Sequence, residues 1–323
     1  MVASGNQYEI CIKKGREHRA VLTPERVNSP TEFFYTAYQD AKYQLWEIIL
    51  ASFQNKNTEE KRLSTKKRIE LLHEYPNNLI AFCADRGRGK TTAMLSFSNA
   101  LEMIGSTSNG DPQNFWGNIP RKEQVLETRF EVMSPIDPAS MENSESVLQQ
   151  IISQLFENFC LMAKNHSRYE SSISNRNHDA LADKFQKCAQ AIDSLYADPK
   201  ARDTLIEDEL DKIAEIGQSG KLLLLLHELI DEYLAYMRGE NTKCCLVVQI
   251  DDSDMDIGRS YQILEDVRKY LGLPRVIVLM ATNIQQLETT VEQHFLKEYK
   301  GGLKYNGSMI TVERCHNIAV LYL

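Results

Sequence analysis

One stretch of the chain carries chemistry on its face: Ala84-Asp85-Arg86-Gly87-Arg88-Gly89-Lys90-Thr91. Two glycines one residue apart, followed at once by a lysine and a hydroxyl side chain, suit the holding of a phosphate chain. Gly87 and Gly89 let successive backbone N–H groups turn into one concavity with no side chain in the way. A helix opening near Lys90 adds the partial positive charge of its N-terminus. Lys90 would then reach the β- and γ-phosphates of such a chain and the Thr91 hydroxyl would ligate Mg²⁺, while Asp85, Arg86, Arg88 and Thr92 would complete the binding turn. The spacing fits G-x-x-x-x-G-K-[ST], except that Ala84 replaces the first glycine, a position that only closes the turn out of the preceding strand.

A phosphate-bound cation also needs a carboxylate from a neighbouring strand. Cys244-Cys245-Leu246-Val247-Val248-Gln249-Ile250-Asp251-Asp252 is an apolar strand pattern ending in two acids. Asp251 is placed to hold Mg²⁺ through water, and Asp252 to orient or deprotonate an attacking water. Two adjacent carboxylates at a strand tip repel each other unless a cation neutralises them. Asp254 and Asp256, just beyond, read as solvated acids of a strand-to-helix turn. A further apolar run, Val276 to Ala281, ends in Thr282-Asn283. Asn283, with Thr282 second, is a candidate to hydrogen-bond the attacking water or the terminal phosphate. It suits equally the N-cap of a helix opening at Ile284.

These groups can meet only if short strands carry them to one edge of a sheet. From Asn78 onward the pattern is of short apolar runs separated by helical stretches, which predicts a parallel sheet with crossovers. Strands are expected at Asn78 to Cys83, Thr128 to Met133, Lys243 to Ile250 and Arg275 to Ala281. Helices are expected at Thr91 to Ile104 and about Ser144 to Ala163, with three more between Ser167 and Gly239, and Ser106 to Gln124 reads as a loop. Upstream, Tyr8 to Ile12 alternates like a strand. Ser29-Pro30-Thr31-Glu32 reads as a capping box opening a helix, and a second helix ends before Pro76. The expected organisation is an N-terminal strand and helical segment over 1–75, a core over 76–300 with a helical insertion at about 144–240, and a C-terminal strand or lid over 301–323.

Composition limits the alternatives. The 323 residues carry 37 Lys and Arg against 45 Asp and Glu, a net charge of −8, which argues against a broad polyanion-binding surface. At 42% hydrophobic and 25% charged, the chain is ordinary for a globular protein. No apolar run approaches the roughly 18 residues that a membrane span needs, and Met1 to Asn6 lacks the regions of a signal peptide. The seven cysteines are scattered without a C-x-x-C pair, as expected of reduced thiols in a cytoplasmic protein. No two histidines lie at metal-ligand spacing, and His227 reads as a core histidine of an apolar helix. Gly217-Gln218-Ser219-Gly220-Lys221 also ends in Gly-Lys, but no strand precedes it and Leu222 lacks a hydroxyl, so it reads as a helix–helix turn.

With the three motifs together, the chain resembles an additional-strand P-loop ATPase of the AAA+/STAND kind. Ile250-Asp251-Asp252-Ser253-Asp254, followed by a helix and the run Arg275 to Ala281, resembles the KAP-type branch. The resemblance implies an α/β three-layer sandwich with a parallel sheet of additional-strand type, plus the N-terminal helical segment and the helical insertion. It implies ATP and Mg²⁺ used to switch or drive an assembly, as a homo-oligomeric ring or cluster acting on an effector protein; many bacterial members belong to anti-phage defence. Two departures stand out: Met255 follows Asp254 where that branch usually has arginine, and the membrane spans common in it are missing. No residue matches the family's trans-acting arginine, and Arg259, Arg268 and Arg275 read as salt-bridge residues. The class also leads one to expect another strand, for which Met309 to Val312 is the candidate, and a helical lid, so the chain reads as a piece of a longer protein.

Three functions compete at this point. The first is an ATPase whose hydrolysis changes conformation or assembly. The second is an ATP-dependent nucleic-acid loader or translocase, for which the basic cluster Lys61, Arg62, Lys66, Lys67 and Arg68 speaks and the net acidity does not. The third is a non-hydrolysing, nucleotide-gated scaffold. Guanine specificity would need Asn-Lys-x-Asp after the acid strand, and a transporter ATPase would carry Leu-Ser-Gly-Gly-Gln; neither is present. The Arg-rich lid of a small-molecule kinase is missing too.

Overall fold

Two strands, β3 (Cys244–Ile250) and β4 (Val276–Thr282), are buried at every position, which is why they read as unbroken apolar runs rather than alternating ones. They form the centre of a parallel four-stranded sheet with β1 (Leu79–Cys83) and β2 (Arg129–Val132) at its flanks, in the order β1-β4-β3-β2. β4 therefore lies between the strand that leads into the glycine loop and the strand that ends in the aspartates. This computed structural model describes residues 27–54, 63–105, 111–142, 145–166, 173–196, 218–239, 242–254 and 257–302.

Successive strand residues point to opposite faces, and each face has its own core. Leu246, Val248 and Ile250, with Val276, Val278 and Met280, pack under α5 (Val147–His166), α6 (Ile173–Tyr196), α7 (Gln218–Arg238) and α8 (Ile257–Asp266). Cys245 and Val247, with Ile277, Leu279, Ile80 and Phe82, pack under α1 (Tyr35–Gln54), α3 (Lys90–Gly105) and α4 (Pro112–Trp116). The result is three layers, helix on sheet on helix. Each large apolar side chain taken from water here contributes about 1.5–3 kcal/mol. Two further helices, α2 (Thr65–His73) and α9 (Ile284–Gly302), lead into β1 and out of β4.

Local chemistry explains several boundaries. Ser64 accepts a hydrogen bond from the Lys67 N–H and caps α2. Ser146 and Gln149 form a reciprocal capping box at the head of α5: Gln149 N–H donates to Ser146 Oγ at 3.2 Å, and Ser146 N–H to Gln149 Oε1 at 2.8 Å. Asn78 enters β1 as a buried clamp, its Nδ2 donating to the carbonyls of Leu271 at 2.7 Å and Val276 at 2.8 Å. That one amide ties the start of β1 to the approach of β4.

Three expectations need correction. The Ser29-Pro30-Thr31-Glu32 box does not open α1. Ser29 bonds the Thr31 hydroxyl, Glu32 N–H closes a turn onto Ser29 O, and the helix begins at Tyr35. The loop assigned to Ser106–Gln124 contains α4, started by Asp111 as N-cap and Pro112 in the first turn, and it buries Phe115 and Trp116. Between Ser167 and Gly239 the described residues hold two helices, α6 and α7; residues 167–172 and 197–217 lie outside the described residues. Gln218 to Lys221 is the first turn of α7 and not a helix–helix turn. Tyr8–Ile12 and Met309–Val312 lie outside the described residues. Among those described, no helix is long and apolar enough to cross a membrane.

Candidate functional site

The strand register brings three tips together. Cys83 of β1 is opposite Thr282 of β4, and Ile250 of β3 is opposite Met280. The glycine loop, Thr282-Asn283 and the aspartates therefore leave the same edge of the sheet. Ile136, just after β2, makes a bridge to Ile250, and its carbonyl accepts the Asp251 N–H at 2.9 Å, which fixes the backbone under the first acid.

The loop itself has the backbone that its glycines permit. Gly87 and Gly89 stand at φ +78 and +84, the left-handed region that costs a side-chain-bearing residue about 1–3 kcal/mol. Arg88 N–H closes a turn onto Asp85 O at 3.2 Å, and Ala93 N–H makes the first helical bond to Gly89 O at 2.9 Å. α3 starts at Lys90, so its free N–H groups and positive end face the loop. Asp85, Arg86 and Arg88 are exposed, and Thr92 is half-buried in the first turn of α3. A Cβ on Gly89 would stand 2.7 Å from Cζ of Phe34, so the ring at the foot of α1 abuts the loop. Beside it a cavity of about 300 Å³ runs between α1 and β1, lined by Phe34, Asp40 and Gln44 on one wall and by Cys83, Arg88 and Lys90 on the other.

The polar side chains then pair across the strands. The Thr91 hydroxyl donates to Asp251 Oδ1 at 2.6 Å, and the Asp252 N–H donates to the same oxygen at 3.0 Å. Asp252 itself has φ +47, half-buried at a sharp turn off the end of β3. That turn carries the chain back, so that Asp254 meets Lys90: Nζ to Oδ2 is 3.4 Å, with side chains only 7% and 4% exposed. Asp254 is thus buried and paired, not the solvated turn acid expected from sequence; Asp256 lies outside the described residues. The signal that could have found it is the acid's spacing two residues past a residue able to adopt a left-handed turn.

Asn283 takes the capping role weighed for it and also reaches the glycine loop. Its Oδ1 accepts the Gln286 N–H at 3.2 Å and caps α9, while its Nδ2 lies 3.4 Å from Asp85 Oδ1 in the loop. Thr282 is fully buried, and its hydroxyl finds no hydrogen-bond partner among the described residues.

Several other expected residues stand elsewhere. Arg275 pairs with Asp231 at 2.9 Å and donates Nε to Cys244 O, and Arg268 pairs with Glu265 at 2.9 Å. Arg259 donates Nη1 to the carbonyls of Pro138 and Met141. Of the basic cluster, Lys66 pairs with Glu70 and Arg68 with Glu228, while Lys61 and Arg62 lie outside the described residues. His227 is a partly buried neighbour of Asp231 at 3.8 Å.

Among the described residues no three His, Cys, Asp or Glu side chains gather as a metal-ligand cluster. One hydroxyl and one carboxylate, Thr91 and Asp251, are a pair that could hold a hard cation taking the rest of its shell from other oxygen ligands. Compared with known proteins, the chain matches no family model and no curated protein.

Proposed function

We propose that the chain binds ATP with Mg²⁺ and hydrolyses it to switch or drive a protein assembly. The observation that carries this reading is the 2.6 Å hydrogen bond between Thr91 Oγ1 and Asp251 Oδ1, which joins the hydroxyl after the loop lysine to the acid at the tip of a different strand. Two such groups in contact can share one cation, and the neighbouring glycine loop supplies N–H groups for the phosphates that the same cation would bridge.

The residues divide the work accordingly. The loop from Asp85 to Gly89 wraps the phosphate chain with its N–H groups, and Lys90 holds the terminal phosphates. The cavity beside Phe34 seats the nucleoside. Thr91 and Asp251 would hold Mg²⁺, which supplies charge neutralisation for the phosphoryl oxygens. Asp252, at the turn beyond Asp251, orients the attacking water and accepts its proton; Asn283, linked to Asp85, fixes the opposite side of the terminal phosphate. The sheet order supports the additional-strand P-loop reading, because β4 separates the loop strand from the acid strand and delivers Asn283 between them.

A phosphate-release assay tests the hydrolytic half. Wild type should release phosphate from Mg·ATP, and Asp252→Ala should slow release by about 10²-fold or more while leaving ATP affinity within a few-fold. Equal rates for the two proteins would remove Asp252 from the mechanism.

A further inference from the structure

The Lys90–Asp254 pair stands apart from the cation and water roles given above. Asp254 places Oδ2 on Lys90 at 3.4 Å, and its other oxygen, Oδ1, is buried with no hydrogen-bond partner among the described residues. An ion pair kept only for stability would have its remaining lone pairs satisfied, since a buried carboxylate oxygen left bare offsets much of what the pair contributes. Its backbone, by contrast, is firmly held. Gln286 Nε2 of α9 donates to Asp254 O at 2.7 Å, and Ser260 Oγ of α8 donates to Ser253 O at 2.7 Å. The side chain is hydrogen-bonded among the described residues to Lys90 alone, and that lysine is the one the phosphates require.

We propose that Asp254 is a displaceable counter-ion for Lys90. It neutralises the ammonium in the nucleotide-free protein, standing where a phosphate oxygen would stand, and it is displaced when the β- and γ-phosphates take Lys90 over. This rests on the phosphate-loop reading and deepens it: Asp254 sets how tightly a nucleoside di- or triphosphate is held. Two effects act in the same direction. The pair must be broken for Lys90 to turn to phosphate, and the displaced carboxylate then faces an anion of like charge across a poorly solvated space.

The near-isosteric Asp254→Asn variant removes both effects. Titrated with ADP and with Mg·ATP, it should bind each about tenfold tighter than wild type, which is an ordinary size for one charge at close range. Without nucleotide it should melt below wild type, because Lys90 is left buried and alone, and saturating ADP should raise its Tm by more than it raises that of wild type. Equal or weaker affinity in folded Asp254→Asn, beside a wild type that binds ADP, overturns the proposal and leaves the phosphate reading intact. A wild type that binds neither nucleotide overturns both. Should Asp254→Asn fold poorly, the double variant Lys90→Ala/Asp254→Asn decides by thermal melting: recovery of the stability lost in the single variants supports the pair, and additive losses contradict it.

Discussion

Gly89 shows how much one hydrogen atom in place of a side chain can govern. Its φ of +84 and the ring of Phe34, 2.7 Å from where a Cβ would stand, act together against any replacement. Gly89→Ala should lower stability by about 1–3 kcal/mol and weaken nucleotide binding, read by thermal melting and by titration with ATP. Phe34→Ala removes the ring, so combining it with Gly89→Ala should recover part of the loss. Thr91→Ala acts differently. The hydroxyl bonds an acid oxygen and shapes no backbone, so the variant should fold normally and bind ATP with a weakened dependence on Mg²⁺, measurable by titrating Mg²⁺ at fixed ATP. The loop residues were legible in sequence because their chemistry is local: glycine, lysine and threonine act within one turn. Asp254 was not, since its burial depends on the left-handed turn at Asp252, and Phe34 was not, since 55 residues separate it from Gly89.

Among the elements, α8 carries a titratable group buried at its end. Burial pushes the Asp266 carboxyl up from its ordinary 3.8 to about 6, against the hydrogen bonds from Tyr196 and Gln262 that favour its charged form. Tyr196 Oη donates to Asp266 Oδ1 at 2.5 Å and Gln262 Nε2 to the same oxygen at 2.9 Å. The folded chain therefore holds this proton more tightly than the unfolded one. The resulting stabilisation is complete below pH 4, declines as pH rises to about 6, and is gone above; a shift of this size corresponds to about 3 kcal/mol. Asp266→Asn keeps an acceptor and removes the titration, so its Tm should exceed that of wild type at pH 7.5 and converge with it near pH 4. A second element-level prediction concerns the clamp on β1. Asn78→Ala removes the donor shared by the carbonyls of Leu271, Leu273 and Val276, of which Leu271 keeps the Leu273 N–H, and should cost about 1–3 kcal/mol by urea unfolding. Strands β3 and β4 were legible because burial on both faces leaves a continuous apolar run. Their order in the sheet was open to sequence only through the resemblance, because pairing between residues some 200 positions apart leaves no local trace. α4 was hidden for a different reason: five residues are too few to show a helical period, and only Asp111-Pro112 marks its start.

For the molecule as a whole, the arrangement is one sheet with a core on each face, and Arg275 links three of its parts. Its guanidinium joins Asp231 of α7 and the Cys244 carbonyl of β3, while its N–H donates to Ser52 Oγ of α1 at 3.1 Å. Helices from both outer layers thus meet at the end of the sheet away from the aspartates. The three strand tips that sequence assigned to one site do lie at one edge, a convergence set by parallel pairing in register and by nothing in the motifs alone. What the assembled edge is for turns on whether Lys90 holds phosphate. Equilibrium titration of Mg·ATP into wild type and Lys90→Ala, with folding of both verified by circular dichroism, is the most direct measurement. Saturable binding by wild type and at least a hundredfold loss in Lys90→Ala is the outcome expected of a phosphate-holding lysine. Equal affinity in the two folded proteins would contradict it.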